Sequence, residues 1–366
     1  MGVLVKDITR HLESIAPPVY QESYDNSGLL TGDPAALVTA ALITLDCTEA
    51  VVDEAINRGC NLIIAHHPII FKGLKRLTGS NYVERTVIKA IRNNIAIYAI
   101  HTNLDSVHNG VNRKLCDKVG LVNTRILVPR SEVLTKLITF VPNEHTGSVL
   151  SALYEAGAGK IGNYDNCSFS VEGRGTFRPN EKANPSVGEK FIQEVVAETR
   201  IELIFPSFLE RKILAALKES HPYEEVAYYL TTLNNFNQEV GSGMIGDLPT
   251  PLEPLDFLQR LKISMDLKII RHTRLLDQPI TKVAVCGGSG SFLLPHARQA
   301  GAQVYISADF KYHEFFDAED QIIIADIGHY ESEVFTQELL GEVLIKKFPN
   351  FAINFSRTVT NPISYL

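Results

Sequence analysis

The 366-residue chain has no surplus of positive charge: 35 Lys and Arg stand against 42 Asp and Glu, a formal net charge of −7. That balance supplies no polycationic surface, so nucleic acid is not an expected partner. No run approaches the roughly 20 apolar residues needed to cross a bilayer, and no membrane is expected either. The opening stretch Met1-Gly-Val-Leu-Val-Lys6 lacks the basic and long apolar regions of a secretory signal. Lys6 also stands where a myristoylation signal carries Ser or Thr. Cysteine is sparse and odd in number: Cys47, Cys60, Cys116, Cys167 and Cys286 are scattered and form no C-x-x-C. Reduced structural thiols and a cytoplasmic setting follow, with no ligand or nucleophile expected among them.

A hydrophobic content of 45% with 21% charged residues is that of a soluble globular protein, and the length calls for two or three domains. Up to residue 126 the pattern alternates: strands at 38–44, 62–65 and 95–100, helices at 48–58, 82–93 and 111–119. From 241 onward it alternates again, with strands at 282–286, 303–306, 321–327 and 351–355 and helices at 292–300, 311–316 and 330–347. Such βα repeats predict an α/β fold whose two halves build a mostly parallel sheet core. Between them, residues 127–240 read differently. Strands at 133–141, 167–177, within 191–205 and at 225–233 combine with helices at 144–156, stopped by Gly157, and at 206–219. That order, βαββαβ, predicts an inserted ferredoxin-like domain. The loop 178–190, rich in Pro, Asn and Glu, reads as a hairpin tip.

Three short stretches carry the chemistry. The apolar run Asn61-Leu-Ile-Ile-Ala65 ends in His66, His67 and Pro68; His101-Thr-Asn-Leu-Asp105 follows the strand at 95–100; Asp326-Ile-Gly-His-Tyr-Glu-Ser-Glu333 follows the strand at 321–325. All lie just past strand C-termini, where open α/β sheets place their ligand crevice. Two imidazoles at one strand end hint at two metals, and His329 and Glu333, four apart, share a helical face. Imidazole with carboxylate suits Zn²⁺, Mn²⁺, Fe²⁺ or Co²⁺. His101 is a candidate proton shuttle or a partner of a ligand. Asp309, Lys311 and His313 follow another strand on the same edge and could line a substrate pocket, His313 also moving protons. Gly287-Gly-Ser-Gly290 joins a strand to a helix. The amides around Gly288 and Ser289 could cradle a phosphate, although the stretch is neither a P-loop nor a dinucleotide fingerprint and a tight turn also explains it.

The wording Ile64-Ala-His-His-Pro68, His101-Thr-Asn-Leu-Asp105 and Gly328-His-Tyr-Glu-Ser-Glu333 resembles the GTP cyclohydrolase I type 2 family, also called Nif-three-like. Tyr24-Asp-Asn-Ser-Gly-Leu-Leu30 and Ser307-Ala-Asp-Phe-Lys-Tyr-His313 match further stretches. Gly159-Lys-Ile-Gly-Asn-Tyr164 and His221-Pro-Tyr-Glu-Glu225 resemble that family's PII/CutA-like insert, so the likeness covers nearly the whole chain. It implies a dinuclear centre held by His66, His67, Asp105, His329 and Glu333, with Asp105 bridging. Glu333 is preferred to Glu331 because helical spacing sets Glu333 beneath His329. It also implies a homohexamer and a small-molecule substrate, a nucleotide being one possibility. The implied reaction is hydrolytic opening of the guanine ring of GTP with release of formate. A metal-dependent hydrolase of another substrate, such as a phosphoester, and a non-catalytic metal-binding or ligand-sensing regulator stand as alternatives.

Overall fold

The structure, a computed structural model, describes residues 2–366. The chain divides into two compact units, one made of the segment up to Pro129 together with Gln238–Leu366, the other of Arg130–Asn237.

The first unit holds two sheets. In the five-stranded one the order is Gly28–Thr31, Ala96–Ala99, Leu62–His67, Ala41–Asp46, Ile353–Phe355. All neighbours run parallel except Gly28–Thr31, which lies antiparallel at the edge. Its central strands, Ala41–Asp46 and Leu62–His67, are buried along nearly their whole length, as expected of strands covered on both faces. The helices Glu49–Asn57 and Tyr82–Arg92 supply Val51, Val52, Ala55, Val87 and Ala90 to the core on one side. Each starts from a side-chain cap, Thr48 and Asn81 respectively, that satisfies an amide of its first turn.

The second sheet runs Arg271–His272, Ile323–Asp326, Val304–Ala308, Ile280–Ser289, Asn237–Leu252, Val122–Arg130. Ile280–Ser289, Val304–Ala308 and Ile323–Asp326 pair in parallel, while Arg271–His272 lies antiparallel to Ile323–Asp326 and Asn237–Leu252 antiparallel to Ile280–Ser289. The βα repeats thus give parallel strands at the centre of each sheet, and antiparallel strands at the flanks make the whole a mixed α/β arrangement. The long strand Asn237–Leu252 contains Gly241, Gly243, Gly246, Pro249 and Pro251, residues that punctuate turns in a sequence reading. Gly241 has a packing reason: a Cβ there would lie 2.2 Å from the carbonyl oxygen of Val128. The helix expected over 330–347 is also interrupted, as His329–Glu333 and then Thr336–Lys347.

The second unit has four antiparallel strands in the order Phe169–Phe177, Glu194–Pro206, Leu134–Pro142, Tyr228–Leu233. Helices Thr146–Ala156 and Glu210–Ser220 close its core, where Leu137, Val141, Val149, Leu153, Ile201, Leu203, Phe205, Ile213 and Leu217 are buried together. Gly157 ends the first helix in a left-handed conformation. Among the described residues, no helix is long and apolar enough to cross a membrane.

Candidate metal centre

The strand Leu62–His67 delivers His66 and His67 to the end of the five-stranded sheet, where Pro68, lacking an N–H, cannot continue the ladder. Asp105 closes the short helix Thr102–Asp105 that follows the next strand, Ala96–Ala99. From the second sheet, Ile323–Asp326 leads through Gly328, at φ +94°, into the helix His329–Glu333. The five side chains converge. His67 Nε2 lies 2.9 Å and His329 Nε2 3.1 Å from Glu333 Oε2, while His66 Nε2 lies 3.6 Å from Asp105 Oδ1 and 3.9 Å from Glu333 Oε1.

Three groups of donors lie close enough to hold a metal ion: His67 with His329 and Glu333, His66 with Asp105 and Glu333, and His66 with His67 and His101. Glu333 belongs to two of these and Asp105 to one. The carboxylate common to both mixed groups is therefore Glu333, whereas the sequence resemblance implied a bridging Asp105.

The outward nitrogen of each imidazole is already engaged. His66 Nδ1 is 2.8 Å from the carbonyl oxygen of Ile100, His67 Nδ1 2.7 Å from Asp46, His329 Nδ1 2.7 Å from Asp309 and His101 Nδ1 2.8 Å from Asp25. A carbonyl only accepts, so His66 carries its proton on Nδ1 and presents the lone pair of Nε2 to the cluster. Carboxylate or carbonyl partners behind imidazoles are the arrangement that orients metal-binding histidines. His66 Nε2 and Asp105 Oδ1 are buried without any hydrogen bond. Buried polar atoms left unsatisfied are rare and costly, and a cation set between these two would satisfy both.

The electrostatics are set by two buried carboxylates facing imidazoles. Burial drives the carboxyl of Asp105 well above its ordinary range, and the nearby charge of Glu333 adds to it. Burial would raise Glu333 too, but hydrogen bonds from His329 and His67 hold it well below the usual carboxylate range. Burial pushes His66 down. Burial also opposes charge on His67 and His329, yet Asp46 and Glu333 outweigh it and lift the first to about 10, and Glu333 and Asp309 lift the second to about 9. Asp25 is held ionised, far below its ordinary value, because hydrogen bonds from His101 and Thr102 overcome its burial.

The cluster faces a cleft of about 640 Å³ within the first unit, lined also by Tyr24, Phe71, Tyr82, Ser289 and Phe292. The remaining residues named from sequence are placed variously. His101 lines the cleft, its ring 5.3 Å from those of His66 and His67. Asp309 is the partner of His329. Lys311 is exposed, and His313, also exposed, stacks 6.3 Å from Phe316; neither lines the cleft. The amide of Gly288 donates to Ser332 and that of Gly287 to Asn112. A Cβ at Gly288, where φ is +61°, would meet Glu333 Oε1 at 2.4 Å, so this glycine makes room for the carboxylate.

Sequence reading missed Asp46 and Asp25. Asp46 ends its own strand directly beside His67 in the parallel register, and that equivalence of strand ends was the available signal. Asp25 sits within the Tyr24–Leu30 stretch already marked by resemblance, without anything in the sequence to pair it with His101.

Comparison with known proteins fits this geometry. A family model described as Duf34/NIF3 (NGG1p interacting factor 3) matches residues 3–362. A Bacillus subtilis protein named GTP cyclohydrolase 1 type 2 homolog is 37% identical over 99% of this chain and 98% of its own length. A Halalkalibacterium halodurans protein of the same name is 40% identical over 93% of each. Among solved structures, a Bacillus cereus protein related to NIF3 superposes with a TM-score of 0.89 at 40% identity, covering both chains entirely.

Proposed function

The chain belongs to the Duf34/NIF3 (NGG1p interacting factor 3) family, and on that premise we propose that its cleft is the active site of a hydrolase working with two divalent metal ions. The observation that carries the proposal is the pair of buried, unsatisfied atoms His66 Nε2 and Asp105 Oδ1 opposite Glu333. We assign one ion to His66, Asp105 and Glu333 and the other to His67, His329 and Glu333. Three imidazoles and two carboxylates suit Zn²⁺ first, then Mn²⁺, Fe²⁺ or Co²⁺. Two such ions lower the pKa of water and polarise the bond under attack.

The chain's own residues do the rest. Asp46, Asp309 and the Ile100 carbonyl fix the rings that would hold the ions. Asp25 keeps the Nδ1 proton of His101 in place, which leaves His101 Nε2 free to accept or return a proton inside the cleft. Proton transfer is assigned to His101 and not to His313, which lies away from the cleft lining. For substrate, the name borne by the relatives points to ring opening of a guanine nucleotide at C8 with release of formate; phosphoester hydrolysis is the alternative for the same residues.

Metal analysis of the purified chain, with formate and dihydroneopterin triphosphate measured after supplying GTP and Zn²⁺, Mn²⁺ or Fe²⁺, tests both levels. Two ions per chain and formate release are expected. One ion or none would sink the dinuclear reading, and two ions without formate would sink the cyclohydrolase reading.

A second reading, a metal-binding or ligand-sensing regulator, is favoured by one observation. Arg130–Asn237 contains its own cavity of about 630 Å³, lined by Phe140, Phe177, Glu198, Tyr223 and Tyr229. We read this unit, with its βαββαβ order, as a ferredoxin-like insert into the metal-binding core, and the whole as a cytoplasmic homohexamer. Light scattering of the full chain and of a chain lacking residues 130–237 tests that assembly.

A further inference from the structure

Resting on the reading of the metal cleft as an active site, we infer that it recognises its substrate through a planar heteroaromatic ring of low charge, and not through a polyphosphate tail. Four large rings line the cleft yet stay wet: Tyr24 is 66% exposed, Phe71 47%, Tyr82 61% and Phe292 65%. They come from separate places, a loop before Gly28–Thr31, the stretch after Pro68, the first residue of the helix Tyr82–Arg92 and the turn Ser291–Leu293. No single apolar run accounts for their meeting. Exposed apolar surface gathered from four segments at one opening marks a binding surface, and rings stack on rings. Phe71 also meets the ring of His101 edge-on at 5.5 Å. A substrate ring laid on Phe71 is thereby brought beside the imidazole that faces the metal-binding side chains.

Charge points the same way. None of the described residues lining the cleft is Lys or Arg, whereas Glu22, Asp46, Asp105 and Glu333 all line it. Anionic tails are ordinarily held by Arg, Lys or free backbone amides at a helix start. Here the amides of Gly287 and Gly288 are taken by Asn112 and Ser332. A triphosphate would find no Lys or Arg there, only the imidazoles assigned to the metal ions and the ions themselves. A volume of about 640 Å³ accommodates a purine nucleoside.

The test is competitive binding to the metal-loaded full-length protein, using guanosine, GTP and inorganic tripolyphosphate as probes, with metal content measured alongside. Guanosine is expected to bind within about threefold of GTP, and tripolyphosphate to compete with neither. Phe71→Ala and Phe292→Ala are each expected to weaken guanosine binding about 10-fold with two ions still bound, and Phe71→Tyr to restore it. Because these rings are exposed, their removal opens no core cavity. Displacement of GTP by tripolyphosphate, or alanine variants that bind guanosine as the parent does, would overturn the inference. Ring-dependent binding without turnover of any substrate would instead leave the inference standing and sink the hydrolase reading. Turnover of a phosphoester with ring-independent binding would do the reverse.

Discussion

The two units each enclose a cavity, and the volumes are nearly equal, about 640 Å³ in one and 630 Å³ in the other. Their chemistry could hardly differ more. In the first, four imidazoles each tie Nδ1 to an oxygen acceptor, and the four histidines fall into overlapping donor groups with Asp105 and Glu333. In the second, a single buried carboxylate, Glu198, already accepts from Tyr223 at 2.9 Å and lies among aromatic and glycine residues. What separates them is the direction of donor atoms and whether those atoms are satisfied. Space alone is a poor guide to chemistry, because a cleft is cheap to leave between packed elements, whereas a buried atom without a hydrogen bond is not.

That contrast can be broken from the metal side first. Glu333→Gln removes the carboxylate shared by both donor groups. Metal content is expected to fall from two ions to one or none, with affinity down at least about 100-fold, as read by metal analysis and chelator competition. Glu198→Gln in the other cavity should leave metal content unchanged. Equal losses in the two variants would erase the distinction. A smaller effect is expected from Asp46→Asn and Asp309→Asn, which loosen the rings behind the ligating nitrogens; about 10-fold weaker metal binding is the expected size.

Stability should divide along the same line. Phe205→Ala, at a fully buried core position of the second unit, is expected to cost about 3–5 kcal/mol of that unit's stability. Thermal melting should show the loss while the metal content of the first unit persists.

The mildest effect concerns acid. Glu54 accepts hydrogen bonds from Ser356, from the amides of Arg357 and Thr358 and from Arg58. It thereby anchors the terminal stretch whose Thr360 reaches Asp46 and lines the cleft of the first unit. Burial works to raise its pKa, but these donors prevail and lower it to about 2 from an ordinary 4.5. A depressed carboxylate contributes stability that is complete above its unfolded value and is lost as pH falls through the folded one. Between pH 5 and pH 2, hydrogen exchange should therefore rise across 353–366 before it rises across 130–237. Simultaneous loss would show that Glu54 holds nothing specific to the cleft.

Much of the site could be read before the fold was known, because its chemistry is local. His66 and His67 are adjacent, and His329 and Glu333 are one helical turn apart. What could not be read are the contacts made across strands. Asp46 touches His67 only because two parallel strands align, and Asp25 reaches His101 across 76 residues. Asp309 was legible as a residue of the right edge but not as the partner of His329. In the fold, buried runs such as residues 62–65 announced themselves. The strand Asn237–Leu252 did not, since its glycines and prolines resemble a linker until the close approach of Val128 explains one of them.

The acceptors behind the rings have a last consequence. His66 leans on a neutral carbonyl, whereas His67 and His329 lean on carboxylates. A carboxylate behind an imidazole makes its free nitrogen a stronger base than a carbonyl does. Two ions held here would occupy unequal seats, one richer in electron density than the other. A centre so built would fill in order as metal becomes available, and the half-filled protein would be a distinct species with its own chemistry.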